Sequence, residues 1–117
     1  MLIMEVLMKI ISNRIIISCF LAWLVAELIQ FIGYYLKNKK FSLESVFKTG
    51  GFPSRHSAGV AALSSSLFFM ENISSLFVVA LVFSMVVVRD AFGRHTLKEI
   101  LAGIALGLLA SAIVFYV

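Results

Sequence analysis

Four stretches of the chain are almost wholly apolar, and the polar positions gather between them. From Ile15 to Leu36 only Glu27 and Gln30 stand out as polar interruptions, and the stretch has the roughly 20 helical residues that a bilayer core requires. The polar, basic segment KNKKFSLESVFKTGGFPSR follows. In it, Leu43, Val46 and Phe47 after a Ser42 cap predict a short helix. A second apolar helix is predicted from near Ser54 to about Met70, with a tight connection at Glu71 and Asn72. A third spans Ile73 to Val88, RDAFGRH makes a polar loop with Gly93 as its flexible point, and a fourth starts at about Leu97. The second and third are short for full crossings, which points to tilt or a thinned bilayer. The first twelve residues, MLIMEVLMKIIS, carry Glu5 and Lys9 at i, i+4 and no small-residue cleavage site. They read as an interfacial helix or an extension of the first span, not as a signal peptide.

Within the apolar stretches, small residues recur every fourth position. The first has Ser18, Ala22 and Ala26; the second Ser54, Ala58, Ala62 and Ser66; the fourth Gly103, Gly107 and Ser111. Such stripes let helices approach closely in lipid. The expected fold is therefore all-α, one membrane-embedded domain over residues 1–117, a compact bundle of about four transmembrane helices.

Composition strengthens this picture. Hydrophobic residues make up 62% of the 117 and charged residues 14%, against about half and a quarter in soluble domains. Cys19 is the single cysteine and lies in an apolar run, which leaves no intrachain disulfide to form. The net charge of +4 comes from cations that flank apolar runs. Lipid headgroups or an anionic substrate explain these better than nucleic acid. Lys37, Lys39, Lys40, Lys48 and Arg55 form one cluster, and Arg89, Arg94 and Lys98 another. Four crossings put both on one face, cytoplasmic by the positive-inside rule, although Lys9 and Arg14 pull the other way.

The titratable groups then acquire a geometry. Ser54, Arg55 and His56 fall at the start of the second apolar helix, and His95 to Glu99 at the start of the fourth. Helix N-termini carry free N–H groups and partial positive charge, which suits phosphate. Arg55, Arg89, Arg94 and Lys48 add cations nearby. His95 and Glu99 stand at i, i+4, the spacing of an imidazole and the carboxylate that orients it, and His56 is available as an acid. Both rings are expected to face one interfacial cavity with Arg55, Arg89 or Arg94. Thr96 and Glu99 also spell a capping box, and the arginines double as span-end anchors. Glu27, mid-span, costs roughly 2.5–3.5 kcal/mol unless it is paired, protonated or beside a polar cavity. It is expected to face inward, near Ser or Thr hydroxyls, one turn before Gln30.

PSRH resembles the PSGH motif of the type 2 phosphatidic acid phosphatases, the group that also contains vanadium haloperoxidases. RDAFGRHTLKE resembles their Arg, His and Asp motif, with Arg89, His95 and Glu99 in those places and Val88 where a serine usually precedes the arginine. AWLVAELIQ, KTGGFPSRHSA and RHTLKEILAGIALG are closer still to the divergent acid phosphatase/haloperoxidase-related membrane family, in the same order. The likeness runs from Asn13 onward. It implies a metal-independent, cofactor-free hydrolase. His95 would be the nucleophile forming a phosphohistidine, Glu99 its orienter and His56 the proton donor. Arg89, Ser54 and the backbone at Arg55 would bind phosphate, with Arg55 in place of the usual glycine.

Three features depart from the family pattern. The first phosphatase motif is missing; Gln30 stands where the divergent family would place a lysine, and Lys39 where an arginine would follow. The loop from Asp90 to His95 is short, which makes Arg94 a rival of Arg89 for the phosphate. Four helices are fewer than six, which implies a dimer or a stripped-down core. The reading is a multi-pass phosphatase acting on a lipid phosphate or isoprenoid diphosphate. Against it stand a non-enzymatic lipid-binding or scaffolding protein, a small transporter with Glu27 and Gln30 lining its pore, and a metal site of His56, His95 and Glu99, which no HExxH-like spacing supports.

Overall fold

The computed structural model describes residues 1–39 and 51–117, so Lys48 and the short helix expected after Ser42 lie outside the described residues. The described residues form five helices: α1 (Leu2–Ile11), α2 (Arg14–Asn38), α3 (Arg55–Glu71), α4 (Ser75–Ala91) and α5 (Leu97–Tyr116). No strand occurs among them.

Side-chain caps set the starts. Asn13 accepts from the N–H groups of Ile15 and Ile16, so α1 is a separate helix and not an extension of α2. Ser54, Ser74 and Thr96 accept from the third residue of α3, α4 and α5 in the same way. The third apolar helix thus begins at Ser75, after its Ser74 cap, and not at Ile73. It also continues past Val88, so that Arg89, Asp90 and Ala91 are helical and the expected polar loop shrinks to residues 92–96. Polarity alone does not stop a helix; the tight turn around Gly93 does, with the N–H groups of Arg94 and His95 both donating to the Ala91 carbonyl.

α3 is the hub. α2, α4 and α5 each pack on it, and α2 also packs on α5. The Ser54 N–H donates to the Glu99 carbonyl at 3.0 Å, joining the first turns of α3 and α5. Farther along the same pair, Ser65 and Ser111 share a hydroxyl hydrogen bond of 2.5 Å, so α3 and α5 run parallel. α4 runs back along α3, with Ser84 donating to the Val60 carbonyl and the Phe77 ring packed at a tilt against Phe68. α2 also runs opposite: Glu27 meets Arg55 at one end, while Arg14 lies over the Phe115 ring at the other.

The small-residue stripes are the packing surface. Ala22, Ala26, Ala58, Ala62 and Ala110 form the apolar core, and Ser18, Ser66, Gly103 and Gly107 are buried beside them. A Cβ at Gly103 would run into the Ser54 carbonyl, and one at Gly107 into the Ala58 carbonyl. The large side chains point outward instead: Phe20, Trp23, Leu28, Val79, Val82, Phe83 and Met85 are all exposed. A core of Ala, Ser and Gly under a coat of Leu, Val and Phe is unsuited to water and suited to lipid, where close backbone approach drives association. α2 and α5 are long and apolar enough to cross a membrane. α3 and α4 have 17 residues each, about 25 Å of helix against a hydrocarbon core of about 30 Å.

These contacts make the glycines unequal. Gly107→Ala should destabilise the bundle by about 1–3 kcal/mol, because the added methyl meets rigid backbone on α3. Gly33→Ala, where a Cβ meets nothing within 4 Å, should stabilise it by up to about 1 kcal/mol. Thermal unfolding of the two variants in one detergent checks the contrast, and equal midpoints would contradict it.

Candidate functional site

The parallel pairing of α3 and α5 brings both histidine motifs to one end of the bundle. The C-terminal turns of α2 and α4 reach the same end. Before α3 the chain makes a turn that needs glycine: Gly51 has φ +104°, a region that L side chains avoid. Gln30 reaches from α2 to donate to the Pro53 carbonyl at 2.6 Å and packs beside Gly51, so its side chain clamps the approach loop. Ser54 is fully buried, its hydroxyl bonded to the Ser57 hydroxyl at 3.0 Å and accepting from the Ser57 N–H. Its side chain closes the helix cap and is not open to a ligand.

The His95 side chain is only 4% exposed. Its Nδ1 lies 3.1 Å from the Gly51 carbonyl and 3.4 Å from Glu99 Oε1. A carbonyl only accepts, so Nδ1 carries the proton and Nε2 keeps the lone pair. The same Glu99 oxygen accepts from the Thr96 N–H at 2.9 Å, while the Glu99 N–H donates to Thr96 Oγ1 at 3.4 Å. The carboxylate oxygen that closes the cap therefore also lies within ion-pair reach of His95 Nδ1. The Gly51 carbonyl is a partner the sequence did not point to.

Arg55 and Glu27 form an ion pair of 2.5 Å, with side chains 11% and 12% exposed. Glu27 does face inward, but its partner is a guanidinium and not a hydroxyl, because a charge-assisted bond compensates a buried carboxylate better. Gln30, bonded to the loop, also departs from the pore-lining reading. His56 is exposed, and the charged groups that bear on it are Arg94, Arg55, His95 and Asp90. Arg94 pairs with Asp90 at 3.0 Å. Arg89 is exposed on the last turn of α4 and is not among the groups bearing on His56.

Arg55 and His56 head an open groove of about 590 Å³ between α2, α3 and α4. His95 does not line it. The His95 ring sets its Nδ1 under the 51–53 loop, while His56 is exposed at the same end of the bundle. Among the described residues, no three of His, Cys, Asp and Glu converge as a metal site.

Comparison with known proteins bears on this end of the molecule. The sequence description of the divergent PAP2 family matches residues 11–94, which include the approach loop, His56 and both candidate arginines. The chain is 34% identical over 91 residues to the uncharacterized membrane protein YuiD of Bacillus subtilis, covering 75% of this chain and 58% of that one. The chain thus spans little more than half the length of this relative. No solved structure matches it significantly.

Proposed function

The chain belongs to the divergent PAP2 family, and from that premise we propose that it is a multi-pass, metal-independent membrane phosphatase hydrolysing a lipid phosphate or isoprenoid diphosphate. The observation that carries the reading is the His95 ring, held at Nδ1 by the Gly51 carbonyl and Glu99 so that Nε2 is the free nucleophile. Nε2 attacks phosphorus, the bond from phosphorus to the leaving oxygen breaks, and that oxygen takes its electron pair and a proton from the His56 imidazolium. Water then attacks the phosphohistidine at phosphorus, the phosphorus–Nε2 bond breaks with its electron pair returning to His95, His56 recovers its proton from that water, and inorganic phosphate leaves. Glu99 steadies the positive charge that develops on His95.

Arg89 and Arg94 are the candidate phosphate ligands at this end, Arg89 exposed on the last turn of α4 and Arg94 paired with Asp90. Their charges, with that of Lys48 in the segment before α3, attract an anionic substrate. The four apolar helices cross the bilayer with the basic end toward the cytoplasm, and pairing of two copies would cover part of the exposed apolar surface. A second reading, a non-catalytic lipid-binding protein of the same fold, draws support from Ser54 and Arg55, two expected phosphate ligands that are engaged inside the protein.

The test is phosphate release by purified protein in detergent, from a panel of lipid phosphates and diphosphates with chelator present. The phosphatase reading expects release that survives the chelator. Glu99→Gln keeps an oxygen for the capping box but loses the charge, so release should fall about 10²-fold or more with folding unchanged. Full activity in Glu99→Gln would leave that residue only its cap. Absence of release across the panel would favour the lipid-binding reading.

A further inference from the structure

Three hydrogen bonds and one packing contact tie α2, the approach loop and α5 together at the site end of the bundle. Gln30 Nε2 donates to the Pro53 carbonyl at 2.6 Å. The rest of its amide lies against Gly51, where a Cβ would stand 3.2 Å from both Cδ and Oε1 of Gln30. The Gly51 carbonyl in turn faces His95 Nδ1 at 3.1 Å, and the Ser54 N–H donates to the Glu99 carbonyl at 3.0 Å. A side chain on α2 is thereby joined to the His95 ring through the loop.

The shorter of the two His95 Nδ1 contacts is the one to this backbone carbonyl. Glu99 Oε1 stands farther off, at 3.4 Å, and also receives the Thr96 N–H at 2.9 Å. A ring held by a loop carbonyl is only as well oriented as the loop. Gly51 is exposed, has no side chain to anchor it, and sits at φ +104°, where glycine is free to move. Pro53 contributes no N–H to hold the loop, and its buried carbonyl needs a donor. Gln30 supplies that donor from a neighbouring helix. Its amide has one possible sense: a carbonyl only accepts, so Nε2 faces Pro53 and Oε1 falls beside Gly51.

We propose that Gln30 is a positioning residue for His95. By bonding the Pro53 carbonyl and packing on Gly51, it fixes the Gly51 carbonyl, which keeps the proton on Nδ1 and leaves Nε2 bare. The value of that arrangement for catalysis rests on the phosphatase reading; the control of the ring does not.

The chain has two histidines, so a ring-nitrogen NMR spectrum of the full protein in detergent holds two imidazoles, and His56→Asn assigns them. At pH about 9, above the ordinary imidazole range, the two nitrogens of each ring report its tautomer. The unsubstituted protein should show His95 in the Nδ1–H form alone. Gln30→Met, similar in length but without a donor, should give averaged signals of both tautomers, with His56 and helicity unchanged. Gln30→Lys, which restores a donor of similar reach, should return the single form. With a phosphate ester that is hydrolysed, Gln30→Met should lower kcat about 10-fold or more at unchanged KM, since Gln30 acts through the ring and not on the substrate. A His95 ring that is mixed or Nε2–H in the unsubstituted protein would overturn the proposal, and that measurement needs no variant to fold. So would a folded Gln30→Met protein that keeps the Nδ1–H form, whatever its activity. The tautomer change in a protein that releases no phosphate would uphold the positioning role and remove the phosphatase. A kcat loss with the tautomer unchanged would remove the positioning role and leave the phosphatase standing.

Discussion

His95→Asn should reduce phosphate release to the uncatalysed level, a loss of at least about 10³-fold, while leaving the bundle intact. Asparagine is close in size, and its amide N–H can still donate to the Gly51 carbonyl that now accepts from Nδ1. The approach loop, clamped independently by Gln30 at the Pro53 carbonyl, should keep its place. What disappears is the Nε2 lone pair on which the proposed attack depends. His56 is exposed at the same end but lacks the two acceptors that fix the His95 ring. Vanadate or phosphate should still bind to the variant through the arginines and helix ends. Steady-state release, with size-exclusion elution as the folding control, measures the effect; turnover at the parent rate would reject His95 as nucleophile.

The second large effect concerns Glu27 and Arg55. Glu27→Leu leaves the Arg55 guanidinium without its carboxylate at a site only 11% exposed, and Arg55→Met leaves the Glu27 carboxylate in the same position. Each should cost about 3–5 kcal/mol, the typical penalty for breaking a buried pair from one side. The double variant should recover most of that loss, because replacing both charges with apolar groups of similar volume is often close to neutral. Unfolding midpoints of the four proteins in one detergent close the cycle. Additive losses would mean that the ion pair does not couple α2 to α3. Activity separates a further point: a stable double variant that has lost phosphate binding would place Arg55 at the ligand as well as in the pair.

Much of the architecture was legible because packing in lipid selects a simple pattern. Ser18, Ala22 and Ala26 on α2, Ala58 and Ala62 on α3, and Gly103 and Gly107 on α5 read as stripes, and those stripes are the contacts. The starts of α3 and α5 were legible from Ser54 and Thr96, whose caps are local chemistry. α4 starts later than the apolar pattern implies because Ile73 continues the pattern while Ser74 is the residue that caps, and it ends later because Arg89 and Asp90 are polar yet helical. At the site, Glu99 and His95 were paired by helical spacing alone. The bond from Glu27 to Arg55 spans 28 positions and that from Gly51 to His95 spans 44, so both depend on how the helices dock. The sequence marked Glu27 as needing a partner but carried no sign of which one.

The most direct measurement of the central claim is the site of phosphate transfer during turnover. Protein incubated with a lipid phosphate carrying a radiolabelled phosphoryl group, then quenched in alkali, should hold label that is stable to base and lost in acid. Peptide mapping should place it on His95, and the His95→Asn protein should hold none. Phosphate release with no label on His95, or label carried by another residue, would contradict the account.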